Sequence, residues 1–155
     1  MATLNRTNWA QHPNYPRQAL LLGSHANFLR FTESLIEVSK GLSPSAQRIG
    51  VEFQRLLSAM SGHEGYEESK LYPFLTRRYG LQVWPLEAGH KMLHNRSDEV
   101  LAAVAKAPSS GPIPAVRRAL EAHHQVLASH LRLEEDAVIP LLLRLPPAEF
   151  DQFSG

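Results

Sequence analysis

At 155 residues the chain is long enough for one domain with its own core, and the absence of cysteine excludes disulfides, thiolate metal sites and iron–sulfur ligation. Sixteen Lys and Arg against fifteen Asp and Glu leave a net charge of +1 without long runs of either sign, which argues against a nucleic-acid face. No apolar run approaches the roughly 20 residues a membrane helix needs, and no basic-then-apolar leader opens the chain, so a cytoplasmic protein without membrane association is expected.

Met1 to Pro13 precede the first helical pattern, and residues 1–13 read as a loose arm that can lie across the rest. The first helix is expected from about Pro16 to Lys40, with Asn14 and Pro16 at its start and Gly41 as its stop. Its apolar stripe would be Leu20, Leu21, Phe28, Leu29, Phe31, Leu35, Ile36 and Val38. Ser43 as N-cap and Pro44 in the first turn would open a second helix that runs unbroken to Tyr79, before Gly80. Ile49, Phe53, Leu56, Leu57, Met60, Leu71, Phe74 and Leu75 form its inward set. A third helix is expected from Pro85 to Lys106, and a fourth from Pro114 to Leu145, closed by Pro146 and Pro147. No useful stretch alternates with period two, so no strands are expected. The predicted fold is all-α, an antiparallel up-down-up-down four-helix bundle over 14–145, with 146–155 as a tail.

One motif is written twice. His63, Glu67, Glu68 and Pro73 recur at the same spacing as His130, Glu134, Glu135 and Pro140. Residues four apart lie nearly above one another on a helix, so each copy offers an imidazole and a carboxylate to one side. The first and third helices each carry a His on an apolar flank: His25 stands 38 residues before His63, and His90 stands 40 before His130. The chain therefore reads as a duplicated hairpin that brings His25, His63, Glu67, His90, His130 and Glu134 toward one centre. Inward Glu and His on facing helices are the makings of a two-metal carboxylate site.

These residues, across nearly the whole chain to Pro140, resemble the hemerythrin-like family, the HHE cation-binding domain. The resemblance implies a four-helix bundle holding a non-heme diiron centre, two ions with an oxo or hydroxo bridge. Matched by motif, the ligands would be His25, His63, Glu67, His90, His130 and Glu134. The oxygen-carrying members have a second His four residues on in the third helix, which here is His94, a seventh candidate. Those carriers also place their last acid five residues after its His, where this chain has Glu135. Four residues turn a helix by roughly 40° net and five by roughly 140°, so Glu134 is favoured and Glu135 is second.

Imidazole suits iron, zinc and copper, and carboxylates suit hard cations. Iron is the expected metal, with zinc as a second candidate. Expected partners are a small diatomic ligand or peroxide, and the electron-transfer partner is unknown. Leu93, Met60 and Leu127 would restrict water around such a ligand. Reversible binding of dioxygen is the first functional reading. An enzyme acting on hydrogen peroxide or nitric oxide is the second, and iron or zinc storage or sensing a third. Lesser candidates are Tyr66, which can aim its hydroxyl at the site, and Glu64, which can orient a His. Glu68 reads as a solvated flank, His123 as a residue on the approach to the metals, and His124 as pointing elsewhere. His12 is expected in solvent, and Trp9 and Trp84 read as packing anchors.

Overall fold

The computed structural model describes residues 4–153, apart from the side chains of residues 16–21 and 151–153, so the expected roles of Leu20 and Leu21 lie outside the described residues. Among the described residues all regular structure is helical. Four long stretches dominate. They are α1 (Tyr15–Ser39), α2 (Ala46–Tyr66) continued through a π turn (Glu67–Leu71) into α3 (Tyr72–Tyr79), α4 (Trp84–Lys106) and α5 (Pro114–Leu143). A short α6 (Pro147–Phe153) follows. α1 packs on α2, α2 on α4, α4 on α5, and α5 closes the ring on α1. In that ring α2 and α5, which carry the two motif copies, stand on a diagonal.

Several boundaries differ from the sequence expectation, each for a local reason. Asn14 precedes α1, but its amide donates to the carbonyls of Leu143 and Leu145, at 3.2 and 3.5 Å, and ties this end to the close of α5. The N-cap of α2 is Ser45 rather than Ser43. Ser45 is extended and its hydroxyl accepts from the Arg48 N–H at 3.2 Å, satisfying a donor the helix leaves open. The Ser43 hydroxyl accepts instead from the Gly111 N–H at 3.0 Å, joining two loops at one end of the bundle. Pro44 thus precedes the helix instead of entering it.

The expected unbroken helix to Tyr79 is also corrected. Pro73 has no N–H, and its ring would press on the carbonyl of Ser69 four residues back. The chain answers with a π turn, in which the Tyr72 N–H bonds Glu67 O five residues back. α3 then stops at Gly80, whose φ of 71° is left-handed and costs glycine nothing. Pro140, at the matching place in the second copy, is carried inside α5.

Apolar clusters flank the middle of the bundle on both sides. Ile49, Phe53, Leu56, Val100, Val116 and Leu120 fill one end, and Leu93, Leu127 and Leu131 adjoin them. Leu71, Tyr72, Leu75, Leu86, Val138, Leu142 and Phe150 fill the other, so α6 contributes a buried Phe to it. Trp9 is buried against Ile139 and Leu143, and Arg6 reaches Glu135 at 3.0 Å and Asp136 at 3.1 Å. Of the inward sets read from sequence, Ile49, Phe53, Leu56, Leu71 and Leu75 are buried, whereas Val38 is half exposed. Trp84, taken as a packing anchor, is 69% exposed.

Candidate metal centre

Between the apolar clusters lies a polar layer. α1 supplies His25, α2 His63, the π turn Glu67, α4 His90, and α5 His130 with Glu134. All but His63, which is half-buried, are buried. Their ligand atoms fall into two groups. His25, His63, Glu67 and Glu134 form one, His90, His130 and Glu134 the other, and within each group the atoms lie within 4.8 Å of one another.

Each carboxylate spans both groups. Glu134 Oε1 is 3.1 Å from His25 Nε2, and its Oε2 is 3.9 Å from His130 Nε2. Glu67 Oε2 is 3.1 Å from His63 Nε2, and its Oε1 is 3.5 Å from His90 Nε2. The Nε2 atoms of His25 and His63 stand 3.2 Å apart. Two atoms bound at about 2.1 Å and at right angles around one ion are separated by about 3 Å, so these spacings fit shared ligation. Glu67 Oε2 and Glu134 Oε1 are buried without a hydrogen-bond partner, a costly state that a cation relieves.

The second acid of each motif copy completes the arrangement. His25 Nδ1–H donates to Glu135 Oε2 at 2.7 Å, and His90 Nδ1–H donates to Glu68 Oε1 at 2.8 Å. Adjacent helical residues point about 100° apart, so while Glu134 and Glu67 face the centre, Glu135 and Glu68 reach a histidine on the neighbouring helix. Each such pair fixes the tautomer that leaves Nε2 free for a cation. Arg6 in turn holds Glu135. Glu68 is exposed, as read from sequence, but its contact with His90 was not foreseen, and Glu135 was only a reserve ligand; the doubled acid was the signal for this role.

Charges follow the same geometry. Burial would lower the His25 pKa, but the nearby carboxylates of Glu134 and Glu135 outweigh it and raise it to about 9. Burial likewise opposes Glu67 and Glu68 at His90, which is also raised to about 9. Burial raises Glu67, but contacts with Glu134, His63 and His90 bring it down to about 2. Its neighbour Glu134 is raised, by burial and then by Glu67 itself. His130 is lowered to about 4, chiefly by burial, although Glu134 opposes this. Without a cation the layer therefore stores protons on His25 and His90.

A tyrosine that sequence reading passed over also enters the layer. The buried Tyr72 hydroxyl donates to Glu134 Oε2, and its ring stacks on His90 at 6.1 Å and 16°. In an unbroken α-helix Tyr72 would point roughly 140° away from Glu67, but the π turn brings it over that residue. Tyr66, singled out from sequence, is half-buried and packs with the cluster around Leu71 and Leu75. On the opposite side a cavity of about 20 Å³, measured for the centre of a water-sized sphere, is bounded by Phe28, Met60, Leu93, Leu127, His63 and His90. This is room for about one very small molecule.

The remaining histidines stand apart from both groups. His94 is 64% exposed at its side chain and meets Glu64 at 3.1 Å; Glu64 also lies 3.6 Å from His90 Nδ1. His123, read as lining an approach to the metals, is instead wholly buried in the core, edge-on to Phe53 at 5.1 Å. His12, expected in solvent, is half-buried and accepts from the Asn14 N–H at 3.1 Å. His124 points to Glu33 at 3.1 Å.

An all-helical bundle with a central layer of His and Glu defines a metal-binding helical protein. Residues 18–142 match the model of the hemerythrin HHE cation-binding domain, and the chain belongs to that family. No curated protein and no solved structure gives a significant match. Among the described residues no helix is long and apolar enough to cross a membrane.

Proposed function

We propose that the chain is a non-heme diiron protein that binds dioxygen or a related small ligand, nitric oxide or peroxide. The observation that carries this reading is the double span of Glu67 and Glu134, each with one oxygen toward either histidine group. Carboxylates shared in this way suit two ions about 3.5–4 Å apart, and a mixed imidazole and carboxylate set without thiolate suits iron. Bound iron would supply the electrons and an open coordination position. The protein's own part is to hold the set in place. His25, His63, Glu67 and Glu134 would keep one ion, and His90, His130 and the two shared acids the other. Glu135 and Glu68 aim His25 and His90, and the Met60, Leu93 and Leu127 side keeps bulk water from the small cavity. On this reading His94 orients Glu64 at the surface.

A second reading, turnover of peroxide or nitric oxide, is favoured by the Tyr72 hydroxyl at Glu134, a proton-bearing group inside a water-poor site. One set of measurements tests both. Elemental analysis after aerobic purification should find about two irons per chain, with ligand-to-metal absorption bands. Spectra that cycle reversibly between air and argon support carriage or sensing. Gas evolution from peroxide, or anaerobic consumption of nitric oxide, supports the enzyme. Zinc alone, or no metal, would sink both.

A further inference from the structure

The buried imidazoles of the centre are held in two different ways. His25 and His90 are fixed by carboxylates on Nδ1, whereas His130 Nδ1 is buried and has no hydrogen-bond partner. What fixes His130 is the backbone of α4. A Cβ placed on Gly89 would stand 2.2 Å from His130 Nδ1, 3.0 Å from Cε1 and 3.1 Å from Cγ. All three are ring atoms; on one side the ring, 5% exposed, meets the His90 ring edge-on at 4.7 Å, and on the other it borders, with Gly89, the groove lined by Trp84, Met92 and Leu133.

Nothing about conformation demands glycine here. Gly89 lies inside α4 and is absent from the positive-φ glycines, which among the described residues are Gly80 and Gly111. Inside a helix glycine is less favourable than alanine, so its presence calls for another reason. We infer that Gly89 is a positioning residue for His130: its missing side chain is the slot that holds this imidazole's Nε2 toward Glu134. The inference rests on the reading of His130 as a metal ligand. Alanine at position 89 would drive the ring inward onto the ion position, or outward toward the groove lined by Trp84, Met92 and Leu133.

The test is a double-mutant cycle on the full-length protein with Gly89→Ala, His130→Ala and the pair together. Iron(II) affinity is measured anaerobically by chelator competition, and thermal midpoints are taken after metal removal. Gly89→Ala should weaken iron binding at least tenfold, the size of effect seen when the support of a metal-bound His is lost. In the His130→Ala background the same change should cost no further affinity. Stripped of metal, Gly89→Ala should lower the midpoint in the wild-type background and leave it unchanged or higher where His130 is absent. Wild-type iron affinity in Gly89→Ala, or an equal fall in midpoint in both backgrounds, would overturn the inference. Should no version bind iron, the metal reading fails, yet the midpoints still decide whether Gly89 and His130 collide. If Gly89→Ala does not fold, recovery of folding in the double variant supports the collision, and its failure refutes it.

Discussion

Replacing His123 with Leu should stabilise the metal-free protein, and the gain should grow as the solution is acidified. The side chain is 0% exposed, and neither ring nitrogen has a hydrogen-bond partner. Burial, followed by the nearby charge of His124, lowers its pKa to about 4 from an ordinary 6.5. The unfolded chain thus binds the proton more readily than the folded one. Stability is whole above the unfolded value and is lost as pH falls from 6.5 toward 4. At about 1.4 kcal/mol per pKa unit the loss is roughly 2 kcal/mol near pH 5 and roughly 3 kcal/mol near pH 4. Leu has a similar volume and no polar atom, so it escapes this loss and also removes an unsatisfied buried group, a cost of about 1–3 kcal/mol. Urea denaturation followed by circular dichroism, with a chelator present near pH 8 and pH 5, gives the comparison. The stability gap between variant and wild type should widen by roughly 2 kcal/mol at the lower pH. Other acid-sensitive pairs are common to both proteins and largely cancel. An unchanged gap would show that His123 carries no such proton penalty. Lower iron content in the variant would show instead that His123 serves the centre and not the core.

Further outcomes follow from the same geometry. His63→Ala and Glu134→Ala should each lose metal, and with it the thermal stabilisation that binding to the folded state provides; unchanged metal content in both would refute the ligand assignment. Glu135→Gln and Glu68→Gln should keep the fold but weaken metal binding about 10–100-fold, because His25 and His90 lose the carboxylates that orient them; chelator competition measures this. Loading metal near pH 7.5 should release at least two protons per chain, one each from His25 and His90 besides any given up by a bridging water, as read by pH-stat titration. In the metal-free protein those two raised histidines contribute stability that is full below pH 6.5 and is lost as pH rises through about 9. Thermal midpoints that rise over that range would contradict it.

How far the centre was legible depends on what each residue needs from its surroundings. His63 with Glu67 and His130 with Glu134 are pairs four apart on one chain segment, and α-helical periodicity alone places each pair on one face. His25 and His90 became legible only through duplication, because a single His on an apolar flank has the same pattern as a core residue. His123 illustrates the point: it too sits on an apolar face, two turns before His130, yet it packs against Phe53. Three features depend on relations between helices and leave little local pattern. Glu68 and Glu135 act on histidines 22 and 110 residues away. Gly89 matters through a ring on α5. Tyr72 depends on a π turn beside Pro73 that proline spacing does not by itself dictate, since the same spacing at Pro140 leaves α5 helical throughout.

The two copies are therefore alike in ligands and unlike in backbone, and the difference has a chemical consequence. The π turn follows directly on Glu67 and delivers the Tyr72 hydroxyl, yet the group it meets is Glu134, the acid of the other copy. One shared acid thereby carries a phenol on an oxygen that the other lacks. If the phenol sets the behaviour of Glu134, Tyr72→Phe should leave iron content near wild type, since the ring still fills its space and the lost hydroxyl is not among the proposed ligands. It should alter the optical bands of the loaded protein and the rate at which peroxide bleaches them. A variant with normal iron, unchanged bands and an unchanged rate would confine Tyr72 to packing and would remove the observation that favours turnover over reversible binding.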